Sequence, residues 1–256
     1  LFVMLPSGTR AEHSLVAIGV DGKTILGILS SRLHVLWAIA TGGTLEDRPR
    51  YNKTRCFETF PIPDLSGALP GTIASLAAAI DAHRLRQRVR APSLTLTGMY
   101  NVLERLRQGS ALSAKDREIY TRGLVAPLRE LHDELDRAVF AAYGWNDLAD
   151  KLVGRPGATT PWPEKPPEQA EAEEELLTRL VALNAERAAE EKRGLVRWLR
   201  PEFQNPQGTK PPSQDEIDTD ADEPAPVVAK PDKKMPWPKS AVDSLPISES
   251  PSGQVQ

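Results

Sequence analysis

The apolar positions divide the chain into stretches of different period. Over residues 1–24 they come in short runs, "LFVML" and "SLVAIGV", separated by "PSGTR" and closed by Asp21-Gly22. Short apolar runs bounded by turn residues predict strands, with a turn at "PSGTR" and a common hairpin turn pair, Asp-Gly, closing the second run. From Ile25 the period changes. Ile28, Leu29, Leu33, Leu36, Trp37 and Ala40 recur at helical spacing until Thr41-Gly42-Gly43, which predicts one buried helix over 25–40. The segment "RPRYNKTRCFETFPIP", Arg48 to Pro63, then reads as a loop and edge strand ended by Pro61 and Pro63.

Beyond it the pattern is helical. Over 71–90, Ile73, Leu76, Ala77 and Ile80 share a face, and Arg84, Arg86, Arg88 and Arg90 crowd the end, where cations complement the helix dipole. A helix over 96–108 stops at Gly109, and Ser113 supplies an N-cap for the next, with Asp116 and Glu118 in its first turns. Leu124, Leu128, Leu131, Leu135, Ala138 and Ala142 alternate steps of four and three up to Tyr143-Gly144-Trp145. Pro127 belongs near the start of that helix, where a missing N–H costs least. Residues 171–193 form a long charged helix striped by Leu176, Leu177, Leu180, Val181, Leu183 and Ala188, with "GLVRWLRPEF" as its cap.

The resulting fold class is α+β, mainly α: a remnant of a small mixed domain, a helical domain and a tail. The divisions fall at 1–64, 65–153, a Gly- and Pro-rich linker at 154–170, the long helix and its cap at 171–204, and 205–256. Charge sharpens the last boundary. Residues 201–256 carry ten acidic against five basic groups, so the net charge of −3 belongs to the tail and the body is slightly basic. The tail is also Pro-rich and poor in large apolar groups, so its expected state is disorder.

Candidate chemistry is sparse. Cys56 is the single cysteine, which excludes an intrachain disulfide and a cysteine-built zinc site. His13, His34, His83 and His132 match no metal-ligand spacing. No phosphate-cradling G-x-x-x-x-G-K or dinucleotide G-x-G-x-x-G occurs. Pro63-Asp64, Pro231-Asp232 and Glu190-Glu191-Lys192 resemble pieces of a metal nuclease, but Glu and Lys two apart on a helix diverge. No catalytic, cofactor-binding or metal-ligating residue is therefore assigned. No run reaches the roughly 18 apolar residues of a membrane span, and no leader pattern precedes the first strand, so a cytoplasmic protein without a membrane partner is expected. The opening on "LFVML" reads as a strand cut open, which makes this the C-terminal piece of a longer protein.

What remains is basic side chains among aromatics. Arg48, Arg50, Lys53 and Arg55 surround Tyr51 and Asn52, a mixture suited to charge, stacking and hydrogen bonding against a phosphate backbone. Arg84, Arg86 and Arg88 are a second candidate cluster for duplex DNA. A solvated edge strand and a plain helix surface are the respective alternatives. Trp37, His34 and Cys56 fit the core.

Two pairs of segments carry a family resemblance. "ILGILSSRLHVLWAIATGG" followed by "PRYNKTRCFETFPIP" resembles the end of the target recognition domain in MmeI-like single-chain restriction–modification DNA adenine methyltransferases. "LHDELDRAVFAAYGW" and "LLTRLVALNAERAAEEKRGLVRWLRPEFQ" resemble the C-terminal helical region of the same family, in the same order. The resemblance implies a class I methyltransferase parent that moves a methyl group from S-adenosylmethionine to a flipped adenine. The family's cofactor loop and Asn-Pro-Pro-aromatic motif lie upstream of the recognition domain and are absent here, so this chain by itself is expected to hold no cofactor and catalyse nothing. Its implied partners are double-stranded DNA and an upstream methyltransferase domain. In the family, the Phe-Pro-x-Pro element hands the chain to a helical spacer, and the basic groups before it hold the duplex. Type I specificity subunits show a comparable Pro-rich handover. Two other readings stand beside this one: a free-standing specificity subunit serving a separate methylase, and a helical interaction scaffold.

Overall fold

The computed structural model describes residues 1–5, 8–10, 15–20, 22–45, 48–158, 164–197, 199 and 201–205, with the backbone alone at 44, 45, 48, 201 and 203. Residues 1–213 form one compact unit; a second, 214–256, lies outside the described residues, as does the expected disordered tail from 206 onward.

The first unit is mostly helical. Helices α1 (Lys23–Ser30) and α2 (Arg32–Thr41) precede a hairpin of β1 (Gly43–Leu45) and β2 (Arg48–Arg50) and a π-helical turn at Lys53–Phe57. Then come α3 (Leu69–Arg90), α4 (Leu96–Arg107), α5 (Ala114–Gly123), α6 (Val125–Tyr143), α7 (Asn146–Leu152), α8 (Pro167–Lys192) and α9 (Pro201–Gln204). The mainly α part of the expectation holds, while among the described residues the β part is reduced to this one antiparallel hairpin of three-residue strands.

No strand forms among the described residues of 1–22. The opening segment keeps a strand's alternation, with Phe2 and Met4 half-buried and Leu1, Val3 and Leu5 exposed, but no neighbouring strand takes up its backbone groups. Phe2, Ile18 and Val20 instead pack on the helical core. Asp21 lies outside the described residues, and Gly22 caps α1 rather than turning a hairpin.

The single helix expected over 25–40 is two helices meeting at 63°. The break sits at Ser31, whose hydroxyl and N–H both donate to the Ile28 carbonyl, at 2.7 and 3.2 Å. Its cause lies across the fold. Starting a new helix at Arg32 frees that residue's N–H, which donates to the buried Asp136 carboxylate on α6 at 2.8 Å. A helix N-terminus stabilises that charge, so the break satisfies a carboxylate that a straight helix could not reach. Among the described residues no single helix is long and apolar enough to cross a membrane.

The core lies where α3 is held between α1 and α6. Ile28, Leu33, Ile73, Ile80, Met99, Leu103, Leu128, Leu135 and Phe140 form its centre, and Leu148, Leu152, Leu176 and Leu180 extend it through α7 to α8. Helix ends follow the sequence signals. Ser113 and Asp116 form a reciprocal capping box at α5. Gly144, at φ 73°, ends α6 as a left-handed cap, with its N–H bonded to Ala141 O and that of Trp145 to Phe140 O.

One feature is invisible in any local pattern. The Arg32 guanidinium, 2% exposed, donates to Glu173 Oε1 at 3.1 Å, to Pro156 O at 2.8 Å and to Arg155 O. Gln169 donates to Glu173 and Pro156, Lys165 pairs with Glu173, and Gly157 N–H donates to Glu104 Oε2 at 2.8 Å. Residues 154–158 of the expected linker are thereby built into the body, and α8 is tied to α2 by charge as well as by leucines.

Candidate nucleic-acid interface

The segment expected to meet DNA is shaped by what it is fastened to. The β1–β2 register places Gly43 opposite Arg50, Thr44 opposite Pro49 and Leu45 opposite Arg48. Gly42, between α2 and the hairpin, needs its missing side chain: a Cβ there would lie 2.5 Å from Ala38 O and 2.9 Å from Arg50 O. The π-helical turn is capped by Asn52, whose side-chain oxygen accepts from Thr54 N at 3.0 Å and Thr54 Oγ1 at 2.7 Å. It wraps around Cys56, fully buried, whose thiol faces the Ala38 carbonyl. This anchoring turns Lys53, Thr54 and Arg55 outward.

Below the turn lies an aromatic layer. His34 is fully buried between Phe60, at 4.5 Å and 80°, and Phe2, at 5.5 Å and 63° between ring centroids. Trp37 also meets Phe60, at 6.2 Å. Burial holds His34 down at about 3, so it is neutral, and its Nε2 hydrogen-bonds the Tyr51 hydroxyl at 3.0 Å. The Phe-Pro-Ile-Pro exit is pinned twice: Tyr143 donates to Pro61 O at 2.7 Å and Asn184 Nδ2 to Thr59 O at 2.6 Å. Phe60 packs beneath the basic segment, and Phe57 is half-buried beside it.

The nine residues expected at DNA thus separate. Arg50 and Arg55 are exposed and carry no ion pair among the described residues. Lys53 is exposed but pairs with Glu58 at 3.0 Å. Of Arg48 the structure describes only the strand backbone. Asn52 is exposed, but its oxygen is occupied as the turn's cap. Tyr51 is half-buried, with its ring edge-on to Phe2 and its hydroxyl bonded to His34, and burial raises its pKa.

On α3, Arg86 and Arg88 are exposed as expected, but Arg84 is not. At 4% exposure, its Nε donates to the Tyr100 hydroxyl at 2.8 Å and its Nη1 to Phe2 O at 3.0 Å. Tyr100 then donates to Nε2 of His132 at 2.6 Å, which burial keeps neutral. Arg84 is a structural residue without a free donor face for phosphate. A sequence signal for this existed, because Arg84 extends the stripe Ile73, Ala77, Ile80 by a further step of four. The buried set Arg32, Glu104, Asp136 and Glu173 had no such signal. Among the described residues no group of three His, Cys, Asp or Glu could hold a metal ion.

Comparison with known proteins bears on the same segment. The family described as MmeI, target recognition domain, matches residues 2–64. A DNA methyltransferase A from Bacillus subtilis (strain 168) is 50% identical over 42 residues, 16% of this chain. That match covers 5% of the relative, so the chain spans a small fraction of the curated protein's length. No solved structure matches. The resemblance to an MmeI-type target recognition domain is shown for residues 2–64, and its matched stretch ends at the Pro-Ile-Pro exit.

Proposed function

We propose that this chain, carrying an MmeI-type target recognition segment over residues 2–64, is the DNA-recognition and C-terminal helical part of a site-specific DNA methyltransferase of a restriction–modification or phage-defence system. The reading extends to adenine as the methylated base, S-adenosylmethionine as the methyl donor bound by an adjoining catalytic domain, and the cytoplasm as the place of action. The observation that carries it is the build of the segment before the exit. An aromatic layer of Phe2, His34, Trp37 and Phe60 holds one side rigidly to the helices, while Arg50, Lys53 and Arg55 stand outside.

Arginines and lysines on a rigid support suit backbone phosphates, where contacts fix position along a duplex rather than read its bases. Arg86 and Arg88 on α3 add exposed positive charge from the helical body. The buried polar ties between α8 and α2 make the helical region a brace for the recognition segment, which would keep its orientation during base flipping.

The test is the salt dependence of duplex binding by the 256-residue chain. Each phosphate neutralised releases condensed counterions, so the slope of log affinity against log salt changes by about 0.9 per phosphate held. Replacing Arg50, Lys53 and Arg55 together with Gln should make the slope shallower by about 2 to 3 and weaken binding to every sequence alike. An unchanged slope, or a changed sequence preference at constant slope, would remove these residues from the phosphate-holding role.

A further inference from the structure

Helix α3 buries His83, Arg84 and Gln87 on one face, and one of them has no partner. His83 Nε2 is bonded to Gly123 O at 2.9 Å, and the Arg84 guanidinium is held by Tyr100 and Phe2. Gln87 is 3% exposed, yet its side-chain amide makes no hydrogen bond among the described residues. The amide is not sealed from solvent, so its donors and acceptor are open to a group that the protein itself does not supply. Gln87 forms part of the wall of a hollow of about 520 Å³ at the junction of α3, α5 and α6.

The chemistry of that hollow is one-sided. Arg90, Ser93, Thr121, Arg122 and Leu124 line it with Gln87, and no carboxylate does. Arg90 and Arg122 are exposed, and Arg122 Nη1 pairs at 3.0 Å with Glu118, outside the hollow, leaving its other nitrogens free to donate. Thr121 is not a donor, because its hydroxyl is given to Arg117 O. The 19-residue α6 starts at Leu124, whose side chain cannot cap it. Leu124 N–H bonds back into α5 and Pro127 has none, which leaves the N–H groups of Val125 and Ala126 without intrahelical acceptors. Two guanidiniums, an amide and the positive end of a helix select an anion with several acceptor oxygens.

We propose that this hollow is a phosphate-binding pocket, and that the group it takes is a backbone phosphate of duplex DNA. The phosphate chemistry follows from the lining alone. The choice of duplex rests on the DNA-recognition reading above and on Arg86, which stands one helical turn before Arg90 and continues the exposed cations away from the pocket. The pocket lies outside residues 2–64, so the helical body makes its own contact with DNA.

Two arms test the pocket and the source of its ligand separately. In the first, inorganic phosphate is titrated into the 256-residue chain at constant ionic strength and followed by NMR. Saturable shifts are expected at the Gln87 side-chain amide and at the Val125 and Ala126 N–H groups, weakened at least tenfold in R90Q/R122Q, whose two positions are exposed and leave the core intact. Gln87→Leu, which keeps the helix and removes the amide, should weaken binding with both arginines present. Absence of shifts, or equal shifts in R90Q/R122Q, overturns the pocket. In the second arm, R90Q/R122Q should make the salt slope of duplex binding shallower by about 0.9 for each phosphate no longer neutralised. Phosphate binding with an unchanged duplex slope overturns the DNA assignment and leaves a site for a free phosphate ligand. Phosphate binding by a chain that binds no duplex at all sinks the DNA-recognition reading and leaves the pocket standing.

Discussion

Arg84 and Arg86 stand two residues apart on α3, and their surroundings have nothing in common. Arg84 faces inward, where Tyr100 and Phe2 fix its donors, while Arg86 faces water. The same division runs through the whole molecule. Arg32 and Arg107 have side chains 2% and 1% exposed and meet Glu173, Glu104 and Asp133, whereas Arg50 and Arg55 project from the hairpin and the π-helical turn. Interior arginines here draw most of their acceptors from remote parts of the chain, Glu104, one turn before Arg107 on α4, being the local exception. Those at the surface of the recognition segment find no such acceptors and keep their charge available. Arginine content is thus a poor guide to available positive charge in this protein; what counts is the side of the helix or turn on which each one falls.

The interior half of that comparison should break hardest at Arg32. Arg32→Met removes the donors to Glu173, Arg155 and Pro156 and leaves the Glu173 carboxylate buried with a reduced shell. Breaking one side of a buried pair costs about 3–5 kcal/mol. The denaturant midpoint should fall accordingly with little change in the slope of the unfolding free energy, since the same surface is exposed on unfolding. Adding Glu173→Leu should recover part of the loss, because the stranded charge goes with it. A double variant as unstable as the sum of two singles would show that the pair is uncoupled.

Position on α3 is tested next. Arg84→Met forfeits charge-assisted hydrogen bonds to Tyr100 and Phe2, a loss of roughly 1.5–3 kcal/mol. Arg86→Gln should leave stability within about 0.5 kcal/mol. Duplex binding should respond the other way round, with a shallower salt slope for Arg86→Gln alone. Equal stability losses at the two positions would erase the distinction between them.

The fold is legible in the sequence where the cause is local. Ser113 as the cap of α5, Gly144 as the end of α6, and His34, Trp37 and Cys56 as core residues each follow from near neighbours along the chain. The break at Ser31 is not legible, because its reason is Asp136, more than a hundred residues away. The opening strands fail for a related reason. A period of two predicts a strand only if another strand accepts its hydrogen bonds, and "LFVML" packs on helices. The basic segment stands out in the sequence, but nothing near Tyr51 announces that Phe2 and His34 pack against it. The pocket at Gln87 exists only where three helices meet.

The smallest expected effect sharpens the exterior half of the comparison. Lys53 and Glu58 form an exposed ion pair, with side chains 58% and 47% accessible, and such pairs contribute about 0–1 kcal/mol. Glu58→Gln should therefore leave the unfolding midpoint almost unchanged. In duplex binding the carboxylate is a like charge beside the phosphates and a competitor for Lys53, so its removal should tighten binding about threefold near 0.1 M salt, the size of a singly screened interaction over several ångströms. Repeating the change in a Lys53→Gln background separates the two causes. If Glu58 acts by occupying Lys53, its removal should have no effect once the lysine is gone. If it repels phosphate directly, the tightening should persist undiminished. Either result keeps the turn at the duplex surface. No tightening in either background would place Lys53 and Glu58 in open solvent and leave the contact to Arg50 and Arg55 alone.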